Sequence, residues 1–270
     1  MDILTFAAIK GGVGKTTLTY NFGEYLAKQG KKILMIDLDH QCNLSETYQV
    51  DYSDPRIING TINNVFIGKG DAVVIAHTHN PNVDIIPGYI KLDETERSLE
   101  THSNKEFLLH MWLRKYYEPR NLGNYDYVLI DCRPDFSTAT KNAIVVSDTI
   151  LSPITPTEHG YQAKFNLAER FEKAKQEIVN PVTMETMITA KLLFVANMVK
   201  HNTKSSMEFI KVIEGENDVI ATIPYREIFN RSTLDHKSIA QMEDEDSNIS
   251  KNKKVYKQIN EIFEKISKLI

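Results

Sequence analysis

Glycines, lysines and hydroxyl residues close to the amino terminus have the types and spacing needed to bind phosphate. The stretch IKGGVGKTT occupies residues 9–17. Its glycines let the backbone turn N–H groups towards an anion, and a lysine followed by a hydroxyl supplies a charge and a ligand suited to Mg²⁺. The sequence therefore predicts a loop that binds a chain of phosphates, with contacts from Gly11, Gly12, Val13, Gly14, Lys15, Thr16 and Thr17.

The lysine at position 10 departs from the usual phosphate-binding pattern. In G-x-x-x-x-G-K-[ST], the last three positions correspond to Gly14, Lys15 and Thr16, whereas the first glycine would fall on Ile9. Lys10 follows that isoleucine, so the loop contains two lysines, and the ordinary pattern has no place for the first of them.

Acidic residues follow two apolar stretches of the kind found in buried strands. Asp37 and Asp39 end the stretch KKILMIDLD, and Asp131 ends YDYVLID. Beside a phosphate-binding loop, such carboxylates are candidates for holding Mg²⁺ or orienting a water molecule. Solvated loop residues are the alternative interpretation.

Short β-type runs alternate with amphipathic helical stretches along most of the chain. The predicted strands are residues 3–9, 32–37, 83–87, 127–131, 149–153, 192–198 and 219–223. The predicted helices are residues 15–29, 104–117, 138–146, 162–178, 204–213 and 253–269. This alternation favours an α/β fold, in which a doubly wound, mostly parallel sheet has helices on both faces. Ligands of such sheets bind at the C-terminal ends of the strands, where the candidate residues lie.

Composition and charge exclude several classes of protein. The 270 residues include 32 Lys and Arg against 36 Asp and Glu, a net charge of −4, so the chain is not a polycation that coats DNA indiscriminately. The longest apolar runs are far below the roughly 20 residues needed to cross a bilayer. No export signal is visible, and Cys42 and Cys132 offer no disulfide framework. We expect a cytoplasmic protein.

One domain spanning residues 1–270 is expected, because no repeat, low-complexity tract or linker divides the chain. Residues 51–82 are rich in Asn, Asp, Gly and Pro without a clear period, which predicts a loop-rich excursion.

The predicted C-terminal helix, at about residues 253–269, has an apolar face opposite its lysines: Val255, Ile259, Ile262, Ile266 and Leu269. That face either covers the sheet or lies on a membrane surface. The segment has no long spacer before it and no interfacial tryptophan, which favours packing on the sheet.

The stretch KGGVGKTT resembles the deviant Walker A motif of the ParA/MinD superfamily of ATPases. The resemblance implies a P-loop ATPase that uses ATP and Mg²⁺ and forms an ATP-dependent homodimer. It also implies that Lys10 reaches across the dimer interface to the partner's phosphates, much as an arginine finger does elsewhere. Catalytic roles then fall to Lys10, Lys15 and Asp39.

The stretch KKILMIDLDHQCNLS, residues 31–45, resembles the second motif of that superfamily, D-x-D-P-Q-x-N after a buried strand. The resemblance implies that Asp37 assists Mg²⁺ through its water shell and that Asp39 orients the attacking water. His40 stands where proline is usual, which leaves the rigidity of this turn open.

The stretch YDYVLIDCRP, residues 125–134, resembles the Walker B segment. The resemblance places Asp131 at Mg²⁺ together with Thr16 and Asp37. Arg133 replaces a proline that is more frequent in the family, and the resemblance assigns it no role.

Two late stretches, LLFVANMVK and VIATIPYREIF, resemble the segments that hold adenine in the superfamily. The residues implied to bind the base are Asn197, Pro224 and Tyr225. An asparagine after a strand is otherwise a common turn former.

Members of the superfamily include DNA-segregation ATPases, membrane-cycling division-site regulators, and electron-transfer or metal-chaperone proteins. The cysteines do not support the last class, and the choice between DNA and a membrane rests on the C-terminal helix, whose expected packing on the sheet favours DNA. The expected function is plasmid or chromosome partition: the ATP dimer binds nonspecific DNA on the nucleoid, and a ParB-like centromere-binding protein stimulates hydrolysis. Candidate DNA contacts are Lys200, Lys204, Arg226, Arg231, Lys251 and Lys254. A MinD-like membrane-cycling ATPase and a nucleotide-binding regulator without hydrolysis are the alternatives.

Overall fold

The computed structural model describes residues 1–180, 182–246 and 249–270, and the side chains of residues 249–251 lie outside the described part. Within it, the strands are β1 Asp2–Phe6, β2 Ile33–Leu38, β3 Ala76–His77, β4 Val83–Ile86, β5 Tyr127–Cys132, β6 Thr149–Ile154, β7 Lys191–Val199 and β8 Val219–Pro224. The α-helices are α1 Lys15–Lys28, α2 Asn43–Thr47, α3 Pro55–Ile58, α4 Asn63–Phe66, α5 Leu92–Ser98, α6 Leu108–Tyr116, α7 Thr138–Val146, α8 Glu158–Glu177, α9 Lys204–Ile213, α10 Glu227–Leu234, α11 Ile239–Glu245 and α12 Ile249–Ser267.

The strands of the described residues form one eight-stranded sheet in the order β3-β4-β2-β5-β1-β6-β7-β8. All neighbouring pairs are parallel except β3 with β4, which is antiparallel. The predicted fold class, a doubly wound and mostly parallel sheet, is therefore confirmed.

Strand β2 shows why the predicted strands are continuous apolar runs. Successive side chains of a strand point to opposite faces of the sheet. Leu34 and Ile36 belong to a buried core on one face, whereas Ile33 and Met35 belong to a second core on the other. Because helices cover both faces, every residue of this strand is buried, and a polar residue would be costly at most of its positions.

The seven predicted strands are all observed, with small shifts at their ends. The largest shift is in β1, which ends at Phe6 and not at residue 9, because the chain leaves the sheet once Phe6 has paired with Asp131. Helix α8 begins at Glu158, four residues before the predicted start. Its capping residue, Thr157, accepts a hydrogen bond from the backbone N–H of Gly160 at 3.0 Å.

The segment 51–82, predicted to be loop-rich, contains the one-turn helices α3 and α4, a short 3₁₀ turn at Gly70–Ala72 and strand β3. Sequence patterns also missed α5, α10 and α11. These helices have seven or eight residues each, which is too short for a 3.6-residue period to be recognised.

The apolar face of α12 packs against α1. The Phe263 ring lies 5.6 Å from that of Phe22 and 5.5 Å from that of Tyr25, and Ile259 and Ile266 are fully buried. Two details of the prediction were wrong: the helix starts at Ile249, and Leu269 lies beyond its end with 46% of its surface exposed. No helix in the described residues has the length and hydropathy needed to span a bilayer.

Candidate functional site

The glycine-rich loop joins the end of β1 to the start of α1 at the C-terminal edge of the sheet. Gly12 and Gly14 have positive φ angles of 72° and 88°, a left-handed conformation that glycine adopts readily. A Cβ atom at position 14 would lie 2.6 Å from Nδ2 of Asn197, so a side chain there would also clash. The loop therefore needs glycine at this position, where it turns directly into the N-terminus of α1.

The first turn of α1 places three polar side chains beside the end of β5. Lys15 is only 7% exposed. The Thr16 hydroxyl donates to Oδ2 of Asp131 at 2.6 Å, and the Thr19 hydroxyl lies 3.4 Å from Oδ1 of the same carboxylate. Thr19 was missed by sequence reasoning, although its position one helical turn after Lys15 puts it on the same face of α1.

Strand register brings the two predicted metal-binding carboxylates together. Asp37 of β2 is the direct partner of Asp131 of β5, and both are fully buried. Asp37 accepts hydrogen bonds from the backbone N–H of Asp39 at 3.1 Å and from the N–H and hydroxyl of Ser45 at 2.9 and 2.7 Å. Ser45 was not predicted, because nothing in its local sequence links it to a residue eight positions away.

The pKa values of both carboxyls are raised. Burial raises the pKa of Asp37 to about 6, against the opposing effect of the hydrogen bonds from Ser45. Burial and then the charge of Asp37 raise the pKa of Asp131 to about 8, against the opposing effects of Thr16 and Lys15. Two buried carboxylates side by side repel each other, and a divalent cation would relieve that repulsion.

The oxygen atoms of Thr16, Asp37 and Asp131 are donors of the kind that Mg²⁺ prefers. Among the described residues, no group of three or more His, Cys, Asp or Glu side chains could hold a metal ion by itself. This donor set suits an ion that keeps several water molecules and is shared with the phosphates of a nucleotide.

Replacing Asp131 with asparagine is expected to stabilise the nucleotide-free protein and to do so more strongly at high pH. The raised pKa means that the stability contributed by protonated Asp131 is fully present below about pH 4 and is lost as the pH rises through about 8. The asparagine side chain does not ionise, so Asp131→Asn does not lose this stability as the pH rises. A gain of at least about 1 kcal/mol, or roughly 2–4 °C in the melting temperature, is expected at pH 8.5.

Thermal unfolding in EDTA at pH 5.5 and 8.5 tests this expectation, with Glu118→Gln as a control on an exposed carboxylate. A variant that is less stable than the wild type at pH 8.5 would contradict it.

Asp39 is the first residue after β2 and is nearly buried. Its Oδ1 accepts a hydrogen bond from the backbone N–H of Gln41 at 2.9 Å, and its carbonyl accepts one from the N–H of Cys42, also at 2.9 Å. The Nδ1 atom of His40 lies 3.5 Å from the Asp39 carboxylate. These backbone bonds hold the turn without the proline that is usual at position 40.

Lys10 lies at the rim of the glycine-rich loop. Its ammonium donates to the hydroxyl of Thr157 at 3.2 Å, the same hydroxyl that caps α8. Within one subunit, this lysine is therefore held at the N-terminus of α8.

The residues predicted to bind adenine line one small cavity, of about 30 Å³, beside the glycine-rich loop. Its lining comprises Gly14, Thr17, Leu18, Asn197, Met198, Pro224, Tyr225, Arg226, Phe229 and Asn230. The Asn197 amide donates to the carbonyl of Val13 at 2.8 Å and accepts from the N–H of Met198 at 2.9 Å. This side chain therefore anchors the loop. Phe229 and Asn230 were missed because α10 was not predicted.

The basic residues predicted to contact DNA are only partly brought together. Arg226 and Arg231 line the same cavity, of about 750 Å³, between α10, α11 and α12, and Lys200 lies 5.3 Å from the Tyr225 ring centroid. Arg231 pairs with Asp235 at 2.9 Å, and Lys204 lies 3.8 Å from Glu208 of its own helix. Lys254 is exposed on α12, and the side chain of Lys251 lies outside the described residues.

Comparison with known proteins links the chain to one family. The AAA domain model, AAA_31, matches residues 1–184. Over 153 residues the chain is 32% identical to the sporulation initiation inhibitor protein Soj of Bacillus subtilis, covering 56% of this chain and 57% of Soj. It is 35% identical over 155 residues to the chromosome partitioning protein ParA of Caulobacter vibrioides, covering 57% of this chain and 56% of that protein. The chain thus matches little more than half the length of these relatives.

Solved structures share the fold. A putative plasmid partition protein from Borrelia burgdorferi bound to AMPPNP superposes with a TM-score of 0.76 at 24% identity, covering 100% of this chain and 99% of that one. An ATP complex of a McdA variant from Cyanothece gives a TM-score of 0.76 at 20% identity, covering 99% of this chain and 95% of that one.

Proposed function

Because this chain belongs to the AAA domain family AAA_31 and is a P-loop ATPase of the ParA/MinD type by family, we propose that it is a partition ATPase that hydrolyses ATP with Mg²⁺. The observation that supports this best is the convergence of Thr16, Asp37 and Asp131 at the end of the loop carrying Lys15. A nucleotide with its metal fits these groups because they combine one buried cation, hard oxygen donors and a helix N-terminus.

The glycine-rich loop binds the phosphates in this proposal. Backbone N–H groups of residues 11–17 surround the β- and γ-phosphates, and Lys15 contributes its charge. Thr16, Asp37 and Asp131 would hold Mg²⁺, whose positive charge neutralises the phosphate oxygens when it is bound. Asn197, Pro224 and Tyr225 bind the adenine, which requires the small cavity between them to widen.

Asp39 orients the attacking water, and Lys10 of the partner subunit neutralises charge that develops on the transferred phosphoryl group. Lys10 is suited to this role because it lies at the rim of the loop, where its contact to Thr157 is with a single hydroxyl and no carboxylate. Exchanging that contact for a phosphate of the nucleotide in a second subunit is favourable, because the phosphate is an anion whereas the Thr157 hydroxyl is neutral. Hydrolysis is then slow until a dimer assembles.

The proposed cellular role is DNA segregation. Soj and the Caulobacter protein are relatives, and the latter is named for chromosome partitioning. The dimer would bind nonspecific DNA on the nucleoid through Arg226, Arg231, Lys200, Lys204, Lys251 and Lys254, and a ParB-like protein would stimulate hydrolysis and release. Packing of α12 against α1 favours DNA over a membrane, because Ile259, Phe263 and Ile266 are buried and not available to lipid.

Retention on DNA and on liposomes tests this role directly. With ATP and Mg²⁺, the protein is expected to be retained on duplex DNA of arbitrary sequence at about 50 mM salt and to lose most of this binding at about 200 mM. Pelleting with anionic liposomes but not with DNA would instead support a MinD-like membrane ATPase. Failure to hydrolyse ATP with any partner would support a nucleotide-binding regulator.

Replacing Lys10 with alanine is expected to abolish ATP-dependent dimerisation or to lower turnover by roughly 10³-fold, the lower range for a trans-acting cation. ATP affinity of the monomer should remain within a few-fold of the wild type, because Lys10 contacts Thr157 and not its own loop. Light scattering and steady-state turnover give the two readouts.

Lys173→Ala, which removes an exposed lysine of α8, is the matched control and should leave both readouts unchanged. If Lys10→Ala retains both dimerisation and turnover, the lysine has no catalytic role.

A further inference from the structure

Arg133 lies two residues after Asp131, in the segment that connects β5 to α7. Its Nη1 donates to Oε2 of Glu96 at 2.9 Å, and its Nε makes an ion pair with Asp135. The side chain is 22% exposed and that of Glu96 is 8% exposed, so this pair is largely removed from water. The guanidinium is thus engaged on two sides by carboxylates.

Glu96 and Asp135 each hold a second element. Oε1 of Glu96, from α5, accepts the backbone N–H of Ala139 at 2.6 Å in the first turn of α7. Oδ1 of Asp135 accepts the N–H of Ser137 at 3.1 Å and the hydroxyl of Thr140 at 3.2 Å. Arg133 therefore joins α5, the connecting segment and the start of α7 into one charged network.

The residue between Arg133 and Asp135 lies beside the glycine-rich loop. Pro134 is exposed, and its Cγ is 3.8 Å from the position that a Cβ atom would take on Gly11. The same segment therefore has a metal-site carboxylate at one end, the phosphate-binding loop beside it, and a buried ion pair that fixes its path.

We propose that Arg133 is a positioning residue for the reaction: its ion pairs to Glu96 and Asp135 fix the segment 132–137, so that Asp131 keeps its hydrogen bond to Thr16 and Pro134 keeps its place beside the glycine-rich loop. It is not a ligand of the phosphates, because its guanidinium is directed to the two carboxylates. This role rests on the proposed ATPase function.

Removing Arg133 leaves the nearly buried Glu96 carboxylate with the N–H of Ala139 but without a cation, and an uncompensated buried charge is strongly destabilising. The segment then moves to bring water or another donor to Glu96. Displacements on the order of 1 Å near a reacting centre lower rates by up to about 100-fold.

Turnover and nucleotide affinity in Arg133→Met test the proposal. The expected result is a roughly 10- to 100-fold lower kcat and a higher Mg²⁺ concentration at half-maximal turnover. The affinity for ATP in EDTA should stay within about twofold of the wild type, because Lys15 and the loop N–H groups are unchanged. Arg97→Met is the matched control, because it removes an exposed ion pair within α5, to Asp93, and should leave all three quantities unchanged.

Glu96→Gln keeps an oxygen for the N–H of Ala139 but removes the charge that pairs with Arg133. If Arg133 acts through Glu96, the double variant should be no more impaired in kcat than the more impaired single variant, because Glu96→Gln also removes the charge that Arg133→Met leaves unpaired. Losses that multiply would overturn the proposal, as would wild-type turnover and Mg²⁺ dependence in Arg133→Met, or an equal loss in Arg97→Met.

Circular dichroism and thermal unfolding establish whether the variants fold. If Arg133→Met does not fold, Arg133→Lys replaces it in the test. A kcat below that of the wild type but above zero, with unchanged ATP affinity in EDTA, supports the proposal. A wild-type kcat, or failure of Arg133→Lys to fold, overturns it.

If the wild type itself shows no hydrolysis, the proposed function fails, and the Arg133 proposal is still tested by AMPPNP. The gain in AMPPNP affinity on adding Mg²⁺ should be smaller in Arg133→Met than in the wild type, and an equal gain overturns it.

Discussion

Replacing Lys15 with alanine is expected to reduce ATP affinity at least about 100-fold, effectively abolishing nucleotide binding at micromolar concentrations. Lys15 is the first residue of α1 and is nearly buried, so its ammonium has few water molecules to lose when phosphate arrives. A phosphate chain bound without it would be an anion next to the carboxylates of Asp37 and Asp131. Breaking such a buried charge pair costs roughly 3–5 kcal/mol, and about 1.4 kcal/mol is already tenfold in affinity.

Isothermal titration calorimetry with ATP and Mg²⁺ measures this effect. Lys28→Ala is the matched control, because it removes a lysine from the other end of the same helix, where it pairs with Glu243 and Asp244. The control should bind ATP as the wild type does. Normal ATP affinity in Lys15→Ala would refute the site.

Replacing Asp39 with alanine is expected to leave ATP binding intact and to lower turnover by roughly 10²- to 10⁴-fold, the range for loss of a group that moves or orients a proton. Asp39 lies beyond the end of β2. In the described part of the chain its carboxylate contacts the turn that follows, through the N–H of Gln41 and Nδ1 of His40. Its loss therefore removes no phosphate contact. Dimers that form with ATP should persist, because they no longer hydrolyse it.

Asp39→Ala removes both the hydrogen bond that holds the turn and the charge proposed to orient the water. Asp39→Asn separates these two effects. Asparagine keeps an oxygen that can accept the N–H of Gln41 but lacks the negative charge that orients water. Both variants should retain ATP binding and lose turnover, as measured by phosphate release and light scattering in ATP. If only the alanine variant is impaired, Asp39 is a turn residue, and unchanged turnover in both removes it from catalysis.

The family, the fold class and the positions of seven strands along the chain were predictable because they depend on local patterns. Short apolar runs, such as ILMI in β2, indicate strands covered on both faces, and the alternation with helices indicates parallel pairing. The glycine-rich loop depends on residues adjacent in sequence. Short helices such as α10 were not predictable, because their stability comes from tertiary packing more than from their own residues.

Asn197 makes a contact that no local sequence pattern indicates. Asn197 lines the same cavity as Pro224 and Tyr225, the other two residues predicted to bind adenine. Its amide, however, binds the carbonyl of Val13, a contact between residues 184 positions apart. Whether it also binds adenine stays a prediction.

The amino-acid sequence alone determined which residues are the candidates for chemistry: the two lysines and glycines of residues 10–16 and the carboxylates at the ends of β2 and β5. Only the tertiary structure decided how they combine, because the contacts between Thr16 and Asp131, Asp37 and Ser45, Lys10 and Thr157, and Arg133 and Glu96 join different elements. The residue types and their spacing can be recognised within short stretches of the chain. The contacts between distant residues depend on strand order and register, which burial of both faces of the sheet specifies.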